Sequence, residues 1–555
     1  PGSTNVTFVA SIQHDKWFEL YSCVDERSAA YMACGLAAES KEPIVINCTG
    51  ATSSRNYFPA LTESYYRQLP ILAITSTQDI SKIGNMVCQV IDRSCQPKDT
   101  IKYSVHISTI TNYAEEIDCV NKINKAILEL NHHGIGPVHI NLTTTYSEDY
   151  SIDRLPTVRK IQRYLWGEEL PELANYKKIS IFIGSHLEWT EREIALIDEF
   201  CGKVDGVVFK DISSNFTGDF GINYQIALDH IGNDINCESD LLIHIGEMSD
   251  YAGTIGNPQE VWRVSSDGEI RDRYGTLTNV FEMTIEQFFS YYTATIKTDT
   301  IFNTRIKKCK ERVNILRDTL PELPFSQLWV ARKTSQQLPD NSCLHLGILS
   351  PLRSWGYWQY KKSISIFCNQ GGFGIDGNLS TAIGASLVHP EKLFFVVVGD
   401  LSFFYDLNIL GNRHIGNNIR ILLINNSLAA EFLLTKQHNI RPVNDIRSFI
   451  SAEGHFSCKS PDLVKDFALN LGFDYIRATS KDEFESVYDR FVNKKISDRP
   501  IIFEIFTDVS YEDEALNIIR GIYNQKTSCI TKIKQSMASA IGQKGYNSIK
   551  KIIKG

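Results

Sequence analysis

The sequence predicts an α/β protein built from three doubly wound, parallel-sheet domains, and two observations carry that prediction. Strand-like apolar runs alternate with helical patterns along all but the end of the 555 residues. Two of those runs, residues 393–398 and 419–424, are apolar throughout apart from Arg420, as strands covered on both faces are, and are closed by Gly399-Asp400 and Asn425-Asn426. In order, residues 17–24, 43–47, 70–75 and 137–142 read as strands of a first domain over 1–155. The Pro-punctuated, polar stretch 157–178 reads as a linker, and apolar runs at 179–184, 207–209 and 241–246 place a central domain over 170–330. A charged, helix-rich run over 284–333 leads into a third domain over 340–510. The remainder, 511–555, is a basic C-terminal extension that reads as a solvated helix. The chain opens on Pro1-Gly2-Ser3, a turn with no strand before it, so the first strand of the first domain is expected to be missing.

Composition narrows the function. With 43% hydrophobic residues the chain can bury large cores, and a net charge of -8 with interleaved signs leaves no basic footprint for nucleic acid. Thirteen cysteines without a Cys-x-x-Cys pair point to reduced thiols and a cytoplasmic setting, with no zinc site. No apolar run is long enough for an integral membrane segment, and no signal sequence is evident. Gly371-Gly372-Phe373-Gly374 is glycine-rich but does not match a dinucleotide fingerprint.

The strand ends carry chemistry. Open α/β sheets bind ligands at the carboxyl ends of their strands, where Asp400 and Asn426 would present hard oxygen donors suited to Mg²⁺ and the phosphate oxygens that share its shell. The same pair also reads as two ordinary strand ends with turn-forming side chains. Upstream, Glu26 opens a helix rich in Ala and Gly, a position that helix-dipole stabilisation alone explains.

Taken together, these stretches resemble thiamine diphosphate (ThDP) enzymes. Asp25-Glu26-Arg27, the small-residue helix, Cys48-Thr49-Gly50, Asn56 and Pro59-Ala60-Leu61 are similar to the pyrimidine-binding domain of that family, and the Gly399-Asp400 to Asn425-Asn426 segment is similar to its diphosphate-binding domain. The resemblance implies ThDP with Mg²⁺ (or Mn²⁺) as cofactors. It implies metal ligation by Asp400, Asn426 and the Leu428 carbonyl, and cofactor contacts from Glu26, Thr49, Gly50, Phe373, Gly374, Gly399, Leu401, Ser402 and Ala429. It casts Glu26 as a buried catalytic carboxylate that shares a proton with the aminopyrimidine, its pKa raised by burial, and Gln89 as an active-site glutamine. A homodimer or homotetramer with sites at subunit interfaces follows from the same resemblance.

Within the family, Pro1-Gly2-Ser3, Gly374-Ile375-Asp376-Gly377 and Gly399-Asp400-Leu401-Ser402 with Tyr405-Asp406 resemble the 2-succinyl-5-enolpyruvyl-6-hydroxy-3-cyclohexene-1-carboxylate (SEPHCHC) synthase family of menaquinone biosynthesis. Members of that family take 2-oxoglutarate and isochorismate, anions that call for arginines. Here Thr4, Gln78 and Gln370 stand at three such positions, and they are expected to line a substrate pocket for something less anionic. Losing one charge-assisted contact costs about 1.5–3 kcal/mol. The expectation is a decarboxylase/carboligase, transferase or lyase, that takes CO2 from a 2-oxo acid and transfers the enamine to an acceptor, with a substrate different from the synthase's. True SEPHCHC synthase, a simple 2-oxo acid decarboxylase and a non-catalytic ThDP-fold protein are the alternatives. Arg27, Arg55, Arg93 and Arg353 are nearby candidates for a rearranged arginine set.

Overall fold

A computed structural model describes residues 2–145, 155–226, 239–250, 258–298, 300–432, 434, 447–456 and 459–521. The basic extension predicted over 511–555 lies, from residue 522 onward, outside the described residues. The chain forms two compact units, residues 1–170 with 261–283 and residues 171–260 with 284–555.

In the first unit the strands Ile44–Thr49, Ile71–Thr77, Val138–Thr143 and Tyr103–Ile107 lie side by side in that order, all parallel. Helix Glu26–Ser40 covers one face. Its Ala30, Ala33, Cys34 and Ala37 pack with Tyr57, Ala60 and Leu61, and side chains this short let two helices and the sheet approach closely. The Asp25 carboxylate caps the helix by accepting from the Ser28 amide at 2.8 Å. A second parallel run, Gln162–Leu165 beside Leu277–Glu282 beside Glu260–Val264, completes the strands met in this unit.

The second unit contains Gly221–Asn223, Val207–Lys210, Ile179–Ile183 and Leu241–Ile245 as neighbouring parallel strands. It also holds a six-stranded sheet ordered Ser365–Cys368, Cys343–Leu346, Phe394–Gly399, Ile419–Asn425, Ile501–Phe506 and Asp474–Ala478. Ile419–Asn425 is buried along its whole length, as an apolar strand with covered faces must be. Phe394, Val396, Val398, Ile421 and Leu423 join Leu379, Phe403 and Ile502 in the core of that sheet. Every pairing described is parallel and helices alternate with strands, which is the α/β fold the sequence predicts.

Two local expectations need correction. Residues 17–24 are not a strand: they follow helix Val6–His14 as an irregular segment with Trp17 81% and Val24 104% exposed. Their β-favouring side chains find no sheet edge in this chain, and propensity without a partner does not make a strand. The supposed linker 157–178 contains strand Gln162–Leu165, anchored where Arg163 Nε donates to the Gly268 carbonyl at 2.9 Å. The ten cysteines described are all free thiols, and no helix among the described residues is long and apolar enough to cross a membrane.

Candidate active site

In the second unit, strand Phe394–Gly399 delivers its last residue into helix Asp400–Tyr405, so Asp400 sits at a strand's carboxyl end and at a helix start. It is 5% exposed, and burial pushes its carboxyl up to about 7. Its Oδ1 accepts from the Leu401 amide at 2.9 Å, and a backbone hydrogen bond from Ser427 also favours its charged form. The neighbouring strand is parallel, with Gly399 opposite Ile424, so the ends of the two strands meet at one edge.

There Asn425 and Asn426 have separate tasks. Asn425 Nδ2 donates to Glu504 at 2.6 Å, and Tyr475 donates to the other oxygen of the same carboxylate at 2.7 Å. Asn426 Oδ1 is buried with no hydrogen-bond partner. A buried orphan acceptor beside a buried carboxylate is a poor arrangement for a bare protein and a good one for a hard cation. The donor set therefore fits a divalent metal, with Asp400, Asn426 and the Leu428 carbonyl as the residues that would hold it. The Leu428 carbonyl accepts from the Ala430 amide at 3.0 Å, which leaves it a second lone pair.

The remaining predicted contacts of this unit lie at the ends of its strands or in the segments that follow them. Ser402 is 7% exposed, its hydroxyl donating to the Ile375 carbonyl at 2.6 Å and accepting from Asn378 at 3.0 Å. Asp406 holds the start of helix Asn378–Val388 by accepting from the Ser380 amide and hydroxyl at 2.6 and 2.5 Å. Just before that helix, Gly377 turns at φ +73, and Phe373 is 42% exposed at φ +53. A side chain at Gly374 would meet the Asp376 carboxylate at 2.2 Å, whereas one at Gly399 would meet nothing within 4 Å, so the backbone there is open. Ala429 is fixed by its amide donating to the Ser451 carbonyl at 2.7 Å.

In the first unit, Glu26 is half-buried at the first turn of its helix and accepts from Asn56 Nδ2 at 3.2 Å. That hydrogen bond is the largest influence on it and holds its carboxyl below the usual range. The expected buried, raised carboxylate is not what a single chain presents: too little surrounds Glu26 for desolvation to outweigh the Asn56 amide. Thr49 Oγ1 lies 3.2 Å from Ser53 Oγ, and Gly50 is pressed against Arg93, whose Nη1 would lie 2.4 Å from a Cβ at position 50. Gln89 is exposed at φ +64.

The three residues read as a substrate pocket are not alike. Gln370 is 2% exposed. Its Oε1 accepts from the Asp250 amide at 2.8 Å and its Nε2 donates to Ser213 at 2.8 Å and Asp211 at 3.2 Å, so its amide is engaged in a buried network. Thr4 is 8% exposed and tied to Ser76, Oγ to Oγ at 3.2 Å. Gln78 alone is accessible, and its Oε1 accepts from Lys82 Nζ at 2.8 Å. Lys82 was not singled out from the sequence. Its i+4 spacing from Gln78 is the signal that would have found it. Of the spare arginines, Arg353 is committed to Asp250 at 2.8 Å and to Glu431.

Residues 1–96 match the family model described as "Thiamine pyrophosphate enzyme, N-terminal TPP binding domain". The chain belongs to the thiamine diphosphate-dependent enzymes. Within them it is close to the SEPHCHC synthases. It is 30% identical to the SEPHCHC synthase of Bacteroides fragilis over 564 residues, covering 95% of each chain. Identity is 29% to those of Bacteroides thetaiotaomicron (95% of each chain) and Phocaeicola vulgatus (94% of each chain).

Proposed function

We propose that the protein is a metal-assisted ThDP enzyme that removes CO2 from a 2-oxo acid and joins the remaining fragment to an acceptor, with the SEPHCHC synthase reaction on 2-oxoglutarate and isochorismate as its first reading. The observation that carries it is the pairing of buried Asp400 with the orphaned Asn426 Oδ1 at adjoining strand ends. ThDP, when bound, supplies a cationic ring that stabilises the carbanion left by decarboxylation. Asp400, Asn426 and the Leu428 carbonyl would hold the metal that anchors its diphosphate. Glu26 would hold a proton at its carboxylate oxygen opposite the aminopyrimidine, and Asn56 keeps that oxygen oriented.

Near full-length similarity to SEPHCHC synthases supports this reading over the different substrate expected from the sequence. The hydrogen bonds of Gln370 to Ser213 and Asp211 weaken one of the three departures behind that expectation, and Lys82 places a cation beside Gln78. The exposed Trp17, Tyr21, Val24 and Met86 of the first unit supply apolar surface for a second copy, in keeping with a homodimer whose subunits complete each other's sites. Incubation of the ThDP- and Mg²⁺-loaded protein with 2-oxoglutarate and isochorismate, followed by mass spectrometry, tests the proposal. SEPHCHC is the expected product. CO2 release without a coupled product would point to a simple decarboxylase, and no turnover of this pair with turnover of another would restore the different-substrate reading.

A further inference from the structure

Beneath the Thr49-Gly50 turn lies a cavity lined by Ser54, Arg55, Tyr57, Thr75, Arg93 and His139. Arg93 is the anomaly in it. The side chain is 3% exposed, its Nη1 reaches only Ser54 Oγ at 3.5 Å, and its Nε and Nη2 have no hydrogen-bond partner. Among the described residues no carboxylate lies within ion-pair distance of it. Arg420, another buried arginine, is treated differently: it donates to the carbonyls of Phe491, Asn493 and Lys495.

The cavity is also lined by Gln96, whose Nε2 donates to the Arg93 carbonyl at 3.0 Å, and none of its lining residues carries a negative charge. Thr75 Oγ1 donates to Asn141 Oδ1 at 3.1 Å, so it takes the Nε2 proton of His139 at 2.8 Å, while His139 Nδ1 accepts from Ser104 at 2.9 Å. Arg55 adds a second positive charge, its Nη2 donating to the Asp92 carbonyl at 2.9 Å. Burial pushes the nearby Cys48 thiol up to about 12 and raises the Tyr57 hydroxyl as well, so both stay neutral. Burial pushes His139 down to about 3, and Arg93 and Arg55 push it the same way, as a cavity of net positive potential requires. A buried guanidinium left without counter-charge is strongly destabilising, and folded proteins pair or hydrate such groups. The space available, about 10 Å³, is of the size that holds a single small species beside the guanidinium.

We propose that Arg93, with Arg55 at its mouth, forms a binding site for a single halide-sized anion under the Thr49-Gly50 turn. The anion supplies the counter-charge for Arg93 and, through the contact of Arg93 with Gly50, supports the turn that carries two predicted cofactor contacts. The proposal does not depend on the substrate reading.

The test uses the full chain loaded with ThDP and Mg²⁺, in potassium gluconate or with chloride or bromide replacing gluconate at constant ionic strength. Halide should raise Tm saturably, and bromide-soaked crystals measured at the bromine edge should show an anomalous peak in the Arg93 cavity. Arg93→Met should abolish the halide dependence. A cavity holding an ordered water without bromine signal would overturn the proposal, as would an equal halide response in Arg93→Met. Should that variant fail to fold, the bromine map of the wild-type protein decides alone.

Discussion

Asn426→Leu separates a metal ligand from an ordinary buried amide, because the two roles predict opposite signs. In the bare protein Asn426 Oδ1 is a buried acceptor without a donor, and leaving such a group unsatisfied costs about 1–3 kcal/mol. Leucine keeps the branching and number of non-hydrogen atoms of the amide and has no acceptor, so the cofactor-free variant should be more stable than wild type by up to an amount in that range. With Mg²⁺ and ThDP the sign reverses. One lost interaction with a charged partner is worth about 1.5–3 kcal/mol, which lowers cofactor affinity roughly 10- to 150-fold. Denaturant titration of the cofactor-free protein measures the first effect, and calorimetric titration of ThDP in the presence of Mg²⁺ measures the second. A variant that is less stable without cofactor and binds ThDP as wild type does would refute the assignment.

Three further outcomes follow from the geometry. Glu26→Gln should leave ThDP affinity within a few-fold of wild type while slowing C2 proton exchange, read by NMR, by about 100-fold or more; unchanged exchange would deny its role. Gln370→Leu should lower stability by about 2–3 kcal/mol through the unpaired Asp211 and Ser213 while leaving KM for the 2-oxo acid unchanged, and a large KM effect would return it to the pocket. Burial pushes Glu512 up to about 7, and both of its oxygens accept from the Gln327 amide, at 2.9 and 3.0 Å. A raised carboxyl contributes stability that is fully present below its unfolded pKa of 4.5 and is lost as pH rises through 7. Glu512→Gln should therefore flatten the fall in stability across that window, by up to about 3 kcal/mol, in thermal scans at several pH values.

The fold was legible wherever a strand carried its own pattern. Residues 393–398 and 419–424 are apolar almost throughout, and they became Phe394–Gly399 and Ile419–Asn425, buried on both faces with Asp400 and Asn426 just beyond their ends. Residues 17–24 have the same β-favouring composition but no neighbouring edge, and pairing is a tertiary property that local pattern cannot supply. At the site, residue type at a strand end is what singles out Asp400 and Asn426 as candidates. Residue type does not tell an amide in a pocket from one in a buried network: Asp250, Asp211 and Ser213, which surround Gln370, are each more than a hundred residues away in sequence. Glu26 was found by its neighbours, whereas its half-buried state depends on what covers the end of its helix.

The central claim is that two strand ends form a metal-dependent diphosphate site, and its most direct test is a calorimetric titration of ThDP into the wild-type protein with Mg²⁺ and again with excess EDTA. Saturable binding with the metal, weakened at least tenfold by EDTA, is the predicted result. Binding that is absent in both conditions, or equal in both, would contradict it.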